Sequence, residues 1–190
     1  MKTVLLITFF FFFTAHMCFA QKRIGLYAGS NYSSMRLDPE EPVVKKKRFL
    51  IGGFTSKQIG NGINSVFGLK YIEKGGNFDN IDAKLSYLEM DFGIQVGATK
   101  EKGGLYLTGG FTLGGLASAR GRIPSSSNPI KKIFQGGELG YRGGAGIRMK
   151  NFFVEGNYAA SLLSIVREDF PLEAFHNGFQ LTGGLSFALW

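Results

Sequence analysis

The chain has 190 residues, room for one domain, with a formal net charge of +8 and 28 glycines. Only 5 prolines accompany those glycines and no Gly-X-Y period exists, which excludes collagen; 44% hydrophobic and 14% aromatic content excludes a disordered chain. A single cysteine excludes a disulfide framework and a cysteine-based zinc site.

Met1–Ala20 reads MKTVLLITFFFFFTAHMCFA and has the layout of a secretory signal. Lys2 supplies the positive start, and Val4–Phe13 supplies an apolar stretch too short to cross a bilayer as a helix. Cys18 and Ala20 stand three and one residues before Gln21, so cleavage is expected between Ala20 and Gln21. Lipid attachment at Cys18 is the alternative, disfavoured by His16 and Met17 beside it. The Ala-Gln junction and the phenylalanine run suit a Gram-negative bacterium. Beyond Gln21 no stretch of eighteen uncharged apolar residues exists, so no transmembrane helix is expected.

From Gln21 to Trp190 the apolar residues recur every second position, the strand period, and helical spacing is absent. Arg23–Tyr32 sets Ile24, Leu26, Ala28 and Tyr32 against Gly25, Tyr27, Gly29 and Asn31. Arg48–Lys57 follows, with weaker alternation around Gly52-Gly53. Ser65–Lys74 opposes Phe67, Leu69 and Tyr71 to Gly68, Lys70 and Ile72. The fourth segment is the clearest: Leu88, Met90, Phe92, Ile94 and Val96 alternate with Tyr87, Glu89, Asp91, Gly93 and Gln95. Gly104–Gly114, Glu138–Met149, Phe152–Leu162 and Gly178–Trp190 complete eight predicted strands of about ten residues each. Between them the connections alternate in length. Ser33–Lys47, Gly75–Ala83, Gly115–Gly137 and Leu163–Asn177 are long, whereas Gln58–Asn64, Gly97–Gly103 and the two-residue turn Lys150-Asn151 are shorter. Short turns at one end and long loops at the other are the mark of an antiparallel barrel in an outer membrane.

The composition of the two faces decides between water and lipid. One is nearly all Leu, Ile, Val, Phe, Tyr and Met; the other is mostly glycine, small polar residues and charges of both signs. Eight strands enclose an interior only wide enough for side chains, so the small polar face belongs inside. A lumen charge network of Lys70, Glu89, Asp91, Glu138, Arg142, Arg148 and Glu155 is expected there. Closure also leaves no unpaired sheet edge, which hydrocarbon would not tolerate. Tyr32, Tyr71 and Tyr158 suit an interfacial girdle, and Phe152 and Trp190 the periplasmic end. Trp190 falls one position off the outward phase of Phe187 and Leu189.

FGLKYIEKGG (Phe67–Gly76) followed by YLEMDFGIQV (Tyr87–Val96) resembles the core of the PorT-like outer-membrane β-barrel proteins of Bacteroidetes. Asp91 stands where that family commonly has proline. GLYAGSNYSSM (Gly25–Met35) and LTGGLSFALW (Leu181–Trp190) are similar to its first and closing strands. The resemblance implies an eight-stranded barrel inserted by the outer-membrane insertion machinery. It does not imply one activity, because the family is functionally diverse.

Chemistry is sparse. His176 is the only histidine after the signal and is expected as a solvated loop residue. A lipid-modifying hydrolase would use it as base, with Ser161 or Ser164 as nucleophile and Glu173 as orienter. Gly143-Gly144-Ala145-Gly146 is too short for a dinucleotide fingerprint. Lys45, Lys46, Lys47 and Arg48, with Arg120, Arg122, Lys131 and Lys132, form a candidate surface patch for anions such as lipopolysaccharide phosphate. Nucleic acid is not expected as a partner of an exported barrel.

The expectation is therefore an all-β, eight-stranded antiparallel transmembrane up-and-down β-barrel over residues 21–190, in the size class of the OmpA and OmpX barrels. Its place is the outer membrane of a Gram-negative bacterium. Its partners are outer-membrane lipid, lipopolysaccharide and the insertion machinery, with a secretion or surface complex besides. A non-enzymatic structural, surface-interaction or secretion-associated role is expected, without cofactor, metal or catalytic residues. The alternatives are a narrow solute channel and a lipid A-modifying enzyme.

Overall fold

The computed structural model describes residues 22–38, 44–78, 81–97, 103–120, 136–166 and 173–189. Met1–Ala20 with the Ala20–Gln21 junction, Arg122, Lys131, Lys132 and Trp190 lie outside the described residues. Alternation produces eight strands: β1 (Lys22–Asp38), β2 (Val44–Gly60), β3 (Ile63–Phe78), β4 (Ile81–Gly97), β5 (Gly104–Arg120), β6 (Gly137–Met149), β7 (Phe152–Ser161) and β8 (Glu173–Leu189). Each pairs antiparallel with its sequence neighbour, and β1 pairs with β8 to close the barrel. An open sheet with one apolar face would leave two unpaired edges; closure removes both.

Six strands are 16 or 17 residues long, well beyond the ten expected. Much of the expected loop Ser33–Lys47 is strand, leaving 39–43 as the link; Gly75–Ala83 is mostly strand around link 79–80; and β5 runs on to Arg120. The reason is that a ladder needs backbone pairing, not hydrophobicity. Past the lipid the outward residues turn polar and the apolar period fades, yet the hydrogen bonds continue.

The links 61–62, 98–103 and 150–151 share one end with the start of β1 and the finish of β8. The links 39–43, 79–80, 121–136 and 162–172 occupy the other. The predicted tight turn at Lys150-Asn151 is present, with Lys150 at φ 54, as a primed hairpin turn requires. Toward the opposite rim the ladder is irregular in the β4–β5 seam at Ser86/Tyr87 and in the β2–β3 seam. The β2–β3 register skips between Lys45 and Leu50. There Asn31 of β1 donates to the Glu73 carbonyl at 2.9 Å, and Gly75 N–H donates to Ser33 Oγ at 3.0 Å, so side chains seal the gap.

The faces predicted for the first, third and fourth segments hold, and the other strands alternate in the same way. Leu26, Leu88, Ile94, Leu105, Phe111, Val154 and Leu185 are exposed outward. Lys70, Glu89, Asp91, Gln95, Asn157, Gln180 and Ser186 are buried inside. An outward-facing Tyr32–Phe179–Tyr158 row runs across β1, β8 and β7 in register. It supplies part of the expected girdle, but within the strands rather than at their ends. With apolar residues out and charges in, the exterior belongs in hydrocarbon. The protein should therefore fractionate with outer membranes and run at different positions on gels with and without boiling. Recovery from the soluble periplasm would overturn this orientation.

Candidate functional site: the lumen and its outer cap

The lumen is filled in layers. Nearest the short-turn end, Tyr27, Phe54 and Phe153 converge, with Phe54 and Phe153 edge to face at 5.5 Å between centroids. Beside them Arg148 donates to Gln95 Oε1 at 3.0 Å and lies over the Tyr106 ring at 5.3 Å. Glycine makes room for this bulk. A Cβ at Gly25 would strike the Phe54 ring, and one at Gly146 the Tyr106 ring.

The second layer is ionic. Lys70 Nζ donates to both oxygens of Asp91, at 3.0 and 3.1 Å, and lies 3.2 Å from Glu89 Oε2. Arg142 reaches Glu155 at 3.5 Å and Asp91 at 4.0 Å, and Asn157 donates to Glu155 at 2.5 Å. The third layer lies further out. Lys74 joins Glu89 at 2.5 Å to Glu138 at 2.7 Å. Glu138 also accepts from Ser161 at 2.5 Å and from Nδ1 of His176 at 3.2 Å, which puts the proton of a neutral imidazole on Nδ1. The ladder balances Lys70, Lys74, Arg142 and Arg148 against Glu89, Asp91, Glu138 and Glu155. Charges this deeply buried persist only when paired and hydrogen-bonded.

Above the ladder an apolar cap closes the long-loop end. Leu50, Ile72, Leu85 and Tyr87 turn inward and meet Ile165, Val166 and Ala174. The chain after β7 folds back to deliver Ile165 and Val166. Ile165 N–H donates to the Ala174 carbonyl at 2.8 Å, and Ser164 Oγ accepts from Val166 and Ala174 N–H, each at 3.2 Å. A lumen cavity of about 30 Å³ lies between Arg142, Gln95 and Gln180, and one of about 10 Å³ lies beside His176. The larger has room for ordered water.

All seven residues of the expected charge network point into the lumen. Lys74, Gln95, Asn157, Ser161 and His176 belong to it as well. Lys74 was legible, because it shares the phase of Lys70 and Ile72. His176 corrects the expectation of a solvated histidine: it is 3% exposed. β8 begins before it, so it takes the inward phase of Gln180 and Thr182. The hydrolase constellation does not assemble. Glu138 stands between Ser161 and His176, so the hydroxyl bonds a carboxylate rather than an imidazole, and Ser164 holds loop backbone. Glu173 starts β8 opposite Asp38. Among the described residues no cluster of metal-ligand type occurs.

Among the described residues of the expected anion patch, Lys46, Lys47, Arg48 and Arg120 do not share one face. Lys46 and Arg48 pair in register with the inward Ser33 and Asn31, and so share the lumen phase, while Lys47 faces out beside Tyr32. The reason is the strand itself: alternation sends successive lysines to opposite faces. Arg120 is exposed on β5, three strands from β2, next to Lys84, whose ammonium pairs with Glu73 at 2.7 Å. Lys45 lies opposite Gly76 in register.

No family model matches the chain, and no curated protein does. Solved structures match it in fold. Neisserial surface protein A aligns with a TM-score of 0.55 and 14% identity, covering 87% of this chain and 97% of that one. Ail, the attachment invasion locus protein of Yersinia pestis, in complex with the heparin analogue sucrose octasulfate, aligns at 0.52 with 16% identity over 88% and 99%. Ail alone aligns at 0.50 with 15% identity over 90% and 100%. At such identities the likeness is one of fold, and it agrees with the closed sheet, the apolar exterior and the filled lumen: the chain is an eight-stranded transmembrane β-barrel of the outer-membrane type.

Proposed function

We propose that this chain is a sealed, non-enzymatic outer-membrane protein of a Gram-negative bacterium that works through its outer end as a structural or surface-interaction component. The observation that carries the reading is the blocked lumen: an aromatic layer, a paired charge ladder and an apolar cap in series, with cavities of about 30 Å³ beside Arg142 and about 10 Å³ beside His176 among the described residues. A conduit needs a continuous wet path, and each layer interrupts one. Purified protein in planar bilayers should give no steady single-channel current, and large steady currents would overturn the reading in favour of a narrow channel.

What remains for contact is the outer rim, where strands run past the apolar band. Lys47 beside Tyr32 supports contact with lipopolysaccharide phosphate at the girdle. The PorT-like segments Phe67–Gly76 and Tyr87–Val96 support a partner in a secretion apparatus. Crosslinked affinity capture from outer membranes should recover envelope secretion components. Recovery of the insertion machinery alone would remove that role. The rival enzymatic reading predicts an altered lipid A mass spectrum on deletion of the protein, reproduced by His176→Ala. An unchanged spectrum is expected.

A further inference from the structure

The turn Lys150-Asn151 gathers three hydrogen-bond donors that the lumen network leaves over. Arg148 stands two residues before it on β6 and is 4% exposed. Arg23 reaches the same turn from β1, its Nη2 donating to the Lys150 carbonyl at 3.2 Å. Ser186 of β8 is tied to it as well, its N–H donating to the Asn151 carbonyl at 2.7 Å. By alternation Arg23, Arg148 and Ser186 share the inward phase of Tyr27, Gly146 and Gly184. Arg23 Nε, Arg148 Nε and Ser186 Oγ are each buried, and none has a hydrogen-bond partner among the described residues. The rest of Arg23 is partly exposed, so the cluster opens at the mouth of the barrel.

Charge selects the occupant. Arg148 gives an N–H to Gln95 and lays its face over Tyr106, and both partners are neutral. No carboxylate among the described residues lies within ion-pair distance of Arg148 or Arg23. Glu155 acts on Arg148 only from further off, and is already held by Arg142 at 3.5 Å and by Asn157. Arg23 is near enough to Arg148 for the two like charges to repel. Water can answer an unpaired N–H, but it leaves a buried charge uncompensated. Lys150, exposed on the turn, adds a third cation. A phosphate group offers several acceptor oxygens and nearly two negative charges, which suits two guanidiniums and a hydroxyl better than one carboxylate does. Short turns of such barrels face the periplasm. We infer that this turn is a periplasmic phosphate-binding site, with Arg23 and Arg148 holding the phosphate oxygens and Ser186 donating a further hydrogen bond.

The site lies at the opposite end from the outer rim and stands independently of any contact made there. Isothermal titration calorimetry of the detergent-purified protein in phosphate-free buffer tests it, with inorganic phosphate, glycerol phosphate and acetate as probes. Wild type should bind a single inorganic phosphate and prefer it to acetate. Arg23→Gln and Arg148→Gln should each weaken phosphate binding about tenfold or more, the loss of a charge-assisted hydrogen bond, while keeping heat-modifiable gel mobility. Ser186→Ala should weaken it by a smaller factor, and Arg120→Gln, on the far rim, should leave it unchanged. Equal binding of glycerol phosphate would assign the phosphate group of a larger solute, and binding of inorganic phosphate alone would assign the free ion. A wild type that binds no phosphate, or binds acetate as tightly, would overturn the site. So would undiminished binding in both arginine variants, or a loss confined to Arg120→Gln, which would move the anion to the outer rim.

Discussion

Lys70→Met should destabilise the folded barrel by about 3–5 kcal/mol, the usual cost of breaking a buried ion pair from one side. The ammonium is 1% exposed and neutralises two carboxylates on β4, Asp91 at 3.0 Å and Glu89 at 3.2 Å. Methionine preserves the length of the side chain, so the loss is one of charge rather than packing. Asp91 would keep only Arg142, at 4.0 Å, which also serves Glu155. Glu89 would keep Lys74. The companion variant Lys70→Met/Asp91→Leu restores the balance of the ladder and should recover a good part of the loss, because a whole buried pair exchanged for apolar side chains is often neutral. Urea unfolding in lipid vesicles, followed by tryptophan fluorescence or gel mobility, measures both. A single variant within about 0.5 kcal/mol of wild type would mean that the ladder is solvated rather than sealed.

Gly143 and Gly144 are adjacent, and alanine should be accepted at one and resisted at the other. Gly144 faces the lumen, and its new Cβ would run into the carbonyl oxygen of Gly156 and the Asn157 side chain. Backbone cannot swing aside as a side-chain tip can, so Gly144→Ala should cost about 1–3 kcal/mol, as overpacking does. Gly143 faces lipid, with the Thr108 carbonyl oxygen the nearest atom at 4.0 Å. Gly143→Ala should be neutral or slightly stabilising, since glycine within a strand weakens it. The same unfolding experiment reads both, and equal losses would contradict the assignment of the two faces.

The pair also shows how far glycine content can be interpreted from sequence. A high glycine count in mid-strand implies a narrow barrel, and Gly25, Gly144 and Gly146 do make lumen space. Gly183 and Gly143 answer to nothing inside. Period two assigns a glycine to a face, but whether its hydrogen meets a ring, a carbonyl or lipid depends on which strand lies beside it.

Fold class, strand number and the direction of each face were legible in the sequence because a one-residue slip would invert every side chain, and alternation such as Leu88 to Val96 allows only one phase. The seven charges of the expected network were legible for the same reason. Strand ends were not, since Ser33, Lys45 and Arg120 lie past the apolar band where hydrophobic period carries no signal. That error hid His176 inside a supposed loop and put Lys46, Lys47 and Arg48 together, although they alternate between lumen and exterior. Which charge meets which, and the closure of the lumen by Ile165 and Val166, were decided by the tertiary structure alone. Those contacts join β3 to β4, β6 to β8 and the chain after β7 to β2. They exist only once the barrel has closed, because closure brings residues far apart in sequence to one height in one lumen.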